Sequence, residues 1–277
     1  MFRKGNLLKI SFLCVLAMLL LVTESAVATD IGKISFTGEI VDGTQRLGGE
    51  TIDLIKTPLQ IENGNILITM GAAGIVGLTY SFDKQIQEKL AARSNRSLKK
   101  ATDIGSVIGD PYIHMGCAAL VYGGAILADS AKWKETGEMM GEALILADAT
   151  TFIIKESSGR GRPVATSSKN DFKPFSFRKD YDSLPSMHTS SSFALASVLA
   201  ATSESLALKA AYYGAAAFVG FSRVYQNKHW ASDVLLGAIT GELCGRVVTS
   251  FHANKSRFAL APQADEHGAG LALVGAW

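Results

Sequence analysis

From Leu206 to Phe251 the chain reads LALKAAYYGAAAFVGFSRVYQNKHWASDVLLGAITGELCGRVVTSF, two apolar runs separated by the polar segment Gln226 to Trp230. Within each run, small and apolar residues recur at helical spacing and show no strand-like alternation. Leu206–Tyr225 and Ala231–Phe251 are therefore expected to be helices. Gly237, Gly241 and Gly245 repeat every fourth residue in the second run, a pattern that lets two helices approach closely in a soluble core or in a bilayer.

Working outward, the same periodicity predicts helices over Ile66–Tyr80, Asp83–Arg93, Ser97–Ile108, Pro111–Ala128, Thr136–Lys155 and Thr189–Ser203. The fold class is all-α, a helical bundle over residues 65–257. Residues 29–64 are rich in Gly, Thr and Ile, with the turn pairs Asp42-Gly43 and Asn63-Gly64, and read as an extended or hairpin arm. Residues 258–277 form an Ala- and Gly-rich tail in which Leu271 to Trp277 suits a strand.

Residues 1–28 read as an export signal: Arg3, Lys4 and Lys9 precede an apolar run from Ile10 to Val22, and Ala26-Val27-Ala28 supplies a small-residue cleavage pattern. The expected location is periplasmic or secreted, with a cell-envelope membrane as the alternative. The 277 residues are 48% hydrophobic and 19% charged, which excludes a disordered polymer. With Lys+Arg at 27 and Asp+Glu at 25, the charge balance speaks against a nucleic-acid partner. Three cysteines cannot staple the chain, so apolar burial must hold the core. The apolar stretches after the signal are short or broken by charges such as Glu138, Glu142, Asp148, Glu204 and Lys209. They are read as buried helices of a water-soluble bundle, with the bilayer as the second reading.

The polar chemistry gathers in three groups: Lys155 with Arg162-Pro163, then Pro185-Ser186-Met187-His188, then Ser222-Arg223 with His229 and Asp233. Lys155, Arg162 and Arg223 together suit the oxygens of a multiply charged oxyanion, because arginine offers paired planar donors and lysine a point charge. Ser186 precedes a helix start, where backbone N–H groups favour an anion. His229 and Asp233, four apart, share a helix face, so a carboxylate can accept the Nδ1 proton and leave Nε2 as a nucleophile. His188 supplies a second titrating group, able to protonate a leaving oxygen and then to activate water.

In this form the sequence resembles the type 2 phosphatidic acid phosphatase and vanadium haloperoxidase superfamily, whose signature is K-x6-R-P, P-S-G-H and S-R-x5-H-x3-D. The resemblance implies a helical phosphatase that forms a phosphohistidine without metal or cofactor. It assigns His229 as nucleophile, Asp233 as its orienting partner and His188 as general acid. Lys155, Arg162, Ser186, Met187 and Arg223 then bind phosphate. Met187 stands where the family has glycine; a backbone N–H survives the change, but its side chain needs room, and a positive φ there would be strained. Size and export signal resemble the bacterial class A nonspecific acid phosphatases, acting on phosphate monoesters. The alternative is a membrane-associated lipid phosphate or diphosphate phosphatase, which the basic-aromatic stretch Phe172, Lys173, Phe175, Phe177, Arg178, Lys179 and Tyr181 favours through peripheral membrane contact. A vanadium haloperoxidase and a noncatalytic phospholipid-binding module are the remaining rivals. The expected partner is a phosphate ester, small or lipid, and the sequence is silent on subunit association.

Overall fold

The computed structural model describes residues 36–61, 64–93, 95–255, 258–265 and 268–275, so the expected export signal lies outside the described residues. Within them, eight α-helices run in the order α1 (Phe36–Lys56), α2 (Asn65–Ala92), α3 (Arg96–Ile108), α4 (Pro111–Leu127), α5 (Ala131–Ser158), α6 (Met187–Thr202), α7 (Leu206–Tyr225) and α8 (Ala231–Lys255). A 3-10 turn, Thr57–Leu59, follows α1, and strands β1 (Phe258–Asp265) and β2 (Gly268–Gly275) pair antiparallel after α8. The all-α architecture expected from periodicity is the one observed, with the tail strand extended into a hairpin.

The core lies where α4, α5, α6 and α8 meet: Val121, Met140, Leu144, Val198, Cys244 and Val248 form one buried cluster. Close approach of α6 and α8 depends on the glycine repeat. A Cβ at Gly237 would come within 2.6 Å of the Ser186 carbonyl, and one at Gly241 or Gly245 would run into the Ser190 carbonyl or the Ser197 side chain. The glycines therefore bring α8, which carries Asp233, against α6 from its N-cap Ser186 to Ser197, a stretch that includes His188.

Two expectations fail for identifiable reasons. Residues 29–64 contain helix α1 rather than an extended or β-like arm. Leu47 and Leu54, seven residues apart, share a helix face and pack on the core. From the same element Arg46 donates to Glu142 at 2.6 Å and pairs with Glu138 at 3.4 Å. Tertiary burial overrides the local turn preference of Asp42-Gly43, which sits inside the helix.

The second failure concerns α2, expected as two buried helices of a soluble bundle. It is one helix of 28 residues whose buried set is Asp83 alone, while Leu67 and Ile68 are each 71% exposed. Asn65–Ala92 and Ala231–Asn254 are long and apolar enough to cross a membrane, and α3 with α4, bent by 51°, adds a third span if the pair counts as one. An apolar surface this extensive has no favourable place in water.

Candidate active site

Helix α5 ends where the first cation is needed. Gly159, at φ 56°, closes the helix in the left-handed conformation that glycine tolerates, and its N–H donates to the Lys155 carbonyl at 2.8 Å. Lys155 thus occupies the last turn, and Arg160 and Arg162 follow immediately in the loop to α6. Lys155 is buried, and its Nζ donates to the Asp182 carbonyl. Arg162 grips the Asp182 carboxylate with two donors, at 2.5 and 2.6 Å. One acidic residue of the loop therefore holds two of the three cations.

The third cation comes from the last turn of α7, where Arg223 donates to Ser106 on α3 at 3.0 Å and keeps a buried Nε with no partner among the described residues. Asn227, at φ 59°, then reverses the chain so that His229 follows within two residues. Helix α8 begins directly afterwards. Asp233 in its first turn reaches back to accept from the Trp230 N–H at 2.8 Å, a capping contact that fixes the junction.

Asp233 and His229 are not directly hydrogen-bonded. The separation from Nδ1 to the carboxylate is 3.9 Å, and Nδ1 meets the Ser183 carbonyl at 2.7 Å instead. Asp233 accepts from the Ser183 hydroxyl at 2.5 Å, so the carboxylate holds the residue that holds the imidazole. A carbonyl can only accept, so Nδ1 carries the proton and Nε2 keeps the lone pair. The tautomer of His229 follows from this indirect arrangement as well as it would from direct contact.

All three cations act on both histidines. Burial, followed by Lys155, Arg162 and Arg223, pushes the His229 imidazole well below its ordinary range, which leaves it neutral and unprotonated at Nε2. His188, half-buried at the start of α6, is lowered to about 3 by burial first and then by Arg223, His114, Lys155 and Arg162. Burial above all brings Lys155 down to about 8. Both histidines therefore feel the same three cations. A dianion bound among these cations would offset their charge and raise the proton affinity of His188.

Ser186 N-caps α6 with its hydroxyl receiving a hydrogen bond from Thr189 at 2.9 Å, and its N–H donates to the Asp233 carbonyl at 3.0 Å. Met187 is the first residue of α6 and is absent from the residues with positive φ, so methionine needs no strained backbone there. Its amide belongs to the first helical turn, whose donors are left open to an anion.

Sequence reasoning missed the buried centre behind this pocket. Arg160 is fully buried and donates to Asp233 at 2.6 Å, Ser232 at 2.8 Å, Asp83 at 2.7 Å and the Lys169 carbonyl at 3.1 Å. Its guanidinium also lies over the Tyr80 ring at 4.6 Å. Asp83 accepts in addition from the Ser232 N–H at 2.9 Å and hydroxyl at 2.6 Å. The available signal was Asp83 itself, the first charged residue after the apolar run that begins at Ile66.

The family model of the PAP2 superfamily matches residues 139–257. A lipid A 1-phosphatase of Porphyromonas gingivalis is 40% identical over 95 residues, which cover 34% of this chain and 18% of that protein, so the chain matches less than a fifth of that relative's length. Among solved structures, a transmembrane PAP2 type phosphatidylglycerolphosphate phosphatase from Bacillus subtilis is similar over 74% of this chain and all of that one, with a TM-score of 0.53 at 20% identity. LpxE of Aquifex aeolicus is similar over 61% of this chain and 95% of that one, at 21% identity and a TM-score of 0.49. The class A acid phosphatase type expected from size and export signal is not among these relatives. The family match covers most of α5, the loop of cations and both histidines, so that residues 139–257 are similar to the PAP2 superfamily.

Proposed function

We propose that the protein is a membrane-embedded phosphatase that hydrolyses a lipid phosphate monoester through a phosphohistidine on His229. The observation that carries this reading is the convergence of Lys155, Arg162 and Arg223 on a neutral, oriented His229, in a chain with an exposed apolar helix of bilayer length. The lipid alternative weighed from sequence is preferred over a soluble acid phosphatase because α2 exposes its apolar surface and because two of the relatives are named as lipid phosphatases.

In this mechanism the phosphoryl oxygens take the donors of Lys155, Arg162, Arg223 and the first turn of α6. Nε2 of His229 attacks phosphorus, and the bond to the ester oxygen breaks. His188, protonated once the dianion has neutralised the surrounding cations, gives its proton to the departing alcohol. Neutral His188 then takes a proton from water, whose oxygen attacks the phosphohistidine, and inorganic phosphate leaves with His229 restored. The cations are set in place before charge develops and supply most of the stabilisation.

The test is phosphate release from a lipid phosphate and from phenyl phosphate by the purified full chain. His229→Ala is expected to abolish both, vanadate to inhibit both, and a chelator to leave both rates unchanged. Full activity in the alanine variant would refute the mechanism.

A further inference from the structure

Toward the far end of α8 from the phosphate pocket, three helices bring metal-ligating side chains together. Glu50 of α1, Glu142 of α5 and His252 of α8 are all buried, and one ligand atom from each lies within 4.8 Å of the others. Along α8 the rise from Asp233 to His252 is about 28 Å at 1.5 Å per residue, so the cluster is separate from the catalytic groups. Glycine sets the approach of α1. A Cβ at Gly49 would come within 2.7 Å of the Phe251 ring, and these two residues are the chain neighbours of Glu50 and His252.

The imidazole stands between the two acids. Nε2 of His252 lies 2.6 Å from Oε2 of Glu142 and 3.8 Å from Oε1 of Glu50. A proton on Nε2 is donated to one carboxylate at a time, whereas a cation in its place reaches both. Ligand atoms bound to a tetrahedral zinc ion at about 2.0–2.2 Å are about 3.3 Å apart, and the two observed separations bracket that spacing. The surrounding groups orient the donors. Arg46 holds Oε1 of Glu142 at 2.6 Å, which leaves Oε2 toward His252. Nδ1 of His252 lies 3.5 Å from the Glu135 carboxylate, an anion that favours the proton on Nδ1 and frees the Nε2 lone pair for a metal. Glu135 is exposed and gives an ion a route in from water.

We propose that Glu50, Glu142 and His252 bind a divalent transition-metal ion, with zinc the best match to one imidazole and two carboxylates, and that this ion clips α1 to α5 and α8. The Nε2 proton leaves as the ion enters, and two carboxylates with a neutral imidazole then balance the double charge. Water completes the coordination. The clip adds to the packing of Leu47 and Leu54, through which α1 already rests on the core. It is a stabilising site remote from turnover, so chelator-independent phosphatase rates are compatible with it.

The experiment strips the purified full chain of metal in detergent, removes the chelator, and titrates Zn2+ and separately Mg2+ while bound metal and Tm are measured. The wild type is expected to retain about one zinc per chain after gel filtration. Zinc at about a hundredfold over its Kd should raise Tm by about 5–10 °C. Mg2+, which prefers oxygen ligands and keeps its own waters, should do neither. Glu50→Gln removes one ligand at nearly constant size and should lose both the zinc and the Tm rise, whereas His229→Ala should keep both. Co2+ bound to the wild type should show the visible absorption of a four-coordinate site, a readout that needs no variant to fold. Failure of the wild type to retain zinc, a Tm rise in Glu50→Gln equal to that of the wild type, or an equal response to Mg2+ overturns the inference. Loss of phenyl phosphate turnover in His229→Ala upholds the phosphatase reading whichever way zinc binding falls, so the two failures are separable.

Discussion

Replacing Arg160 with methionine removes the cation at the centre of the buried network while keeping a side chain of similar reach. The change deletes four donated hydrogen bonds and leaves Asp83 and Asp233 facing each other without the charge between them. Both carboxylates are fully buried, so solvent does not screen the loss. Breaking a buried pair by removing one partner is destabilising by about 3–5 kcal/mol. For a chain of this size that corresponds to a fall in Tm of roughly 6–20 °C. Thermal unfolding of the purified chain in detergent reads this shift directly. Turnover should fall as well, since Asp233 would lose the contact that fixes it against Ser183 and, through Ser183, the His229 ring. Adding Asp83→Asn should recover part of the Tm, because it removes one of the two uncompensated charges. An Arg160→Met variant with unaltered Tm and kcat would refute the account of the network, as would a double variant no more stable than the single one.

Two further outcomes follow from geometry already described. Lys155 is protonated below about 8 and loses its charge as pH rises through that value, so kcat/KM should fall about tenfold per unit above it; Lys155→Arg should move this limb upward in a pH–rate profile. Gly241→Val places a branched side chain against the Ser190 carbonyl and should lower Tm by several degrees, with kcat falling alongside because α6 and α8 part at the site; equal Tm in a melting comparison would contradict close packing there.

The helical architecture was readable because long apolar periods dominate α3 to α8, and Leu206–Tyr225 was bounded from the sequence as the structure has it. Residues Lys155, Arg162, Arg223, His188 and His229 were readable because their types and order carry the chemistry, although their roles in turnover await the assays above. What sequence could not supply were partners set by tertiary placement. Asp83 lies 77 positions from Arg160, and nothing local couples them. The Nδ1 partner of His229 is a main-chain carbonyl, which has no residue signature. Helix α1 was misread because the turn pair Asp42-Gly43 within it and Asn63-Gly64 beyond it spoke for a hairpin, whereas Leu47 and Leu54 needed a core to disclose their purpose. The exposure of α2 was missed because Asp83 and the charges after it looked like the boundary of a soluble helix rather than the tip of a span.

Helix α2 is more than an apolar anchor, and this restricts how it can be replaced. A generic oily segment of equal length would offer the same apolar surface, yet it would leave the guanidinium of Arg160 short of one counter-charge and Ser232 short of its acceptor. The helix thus doubles as a keystone, and grafting an unrelated segment in its place would demand an acid at the position of Asp83 and a ring at that of Tyr80.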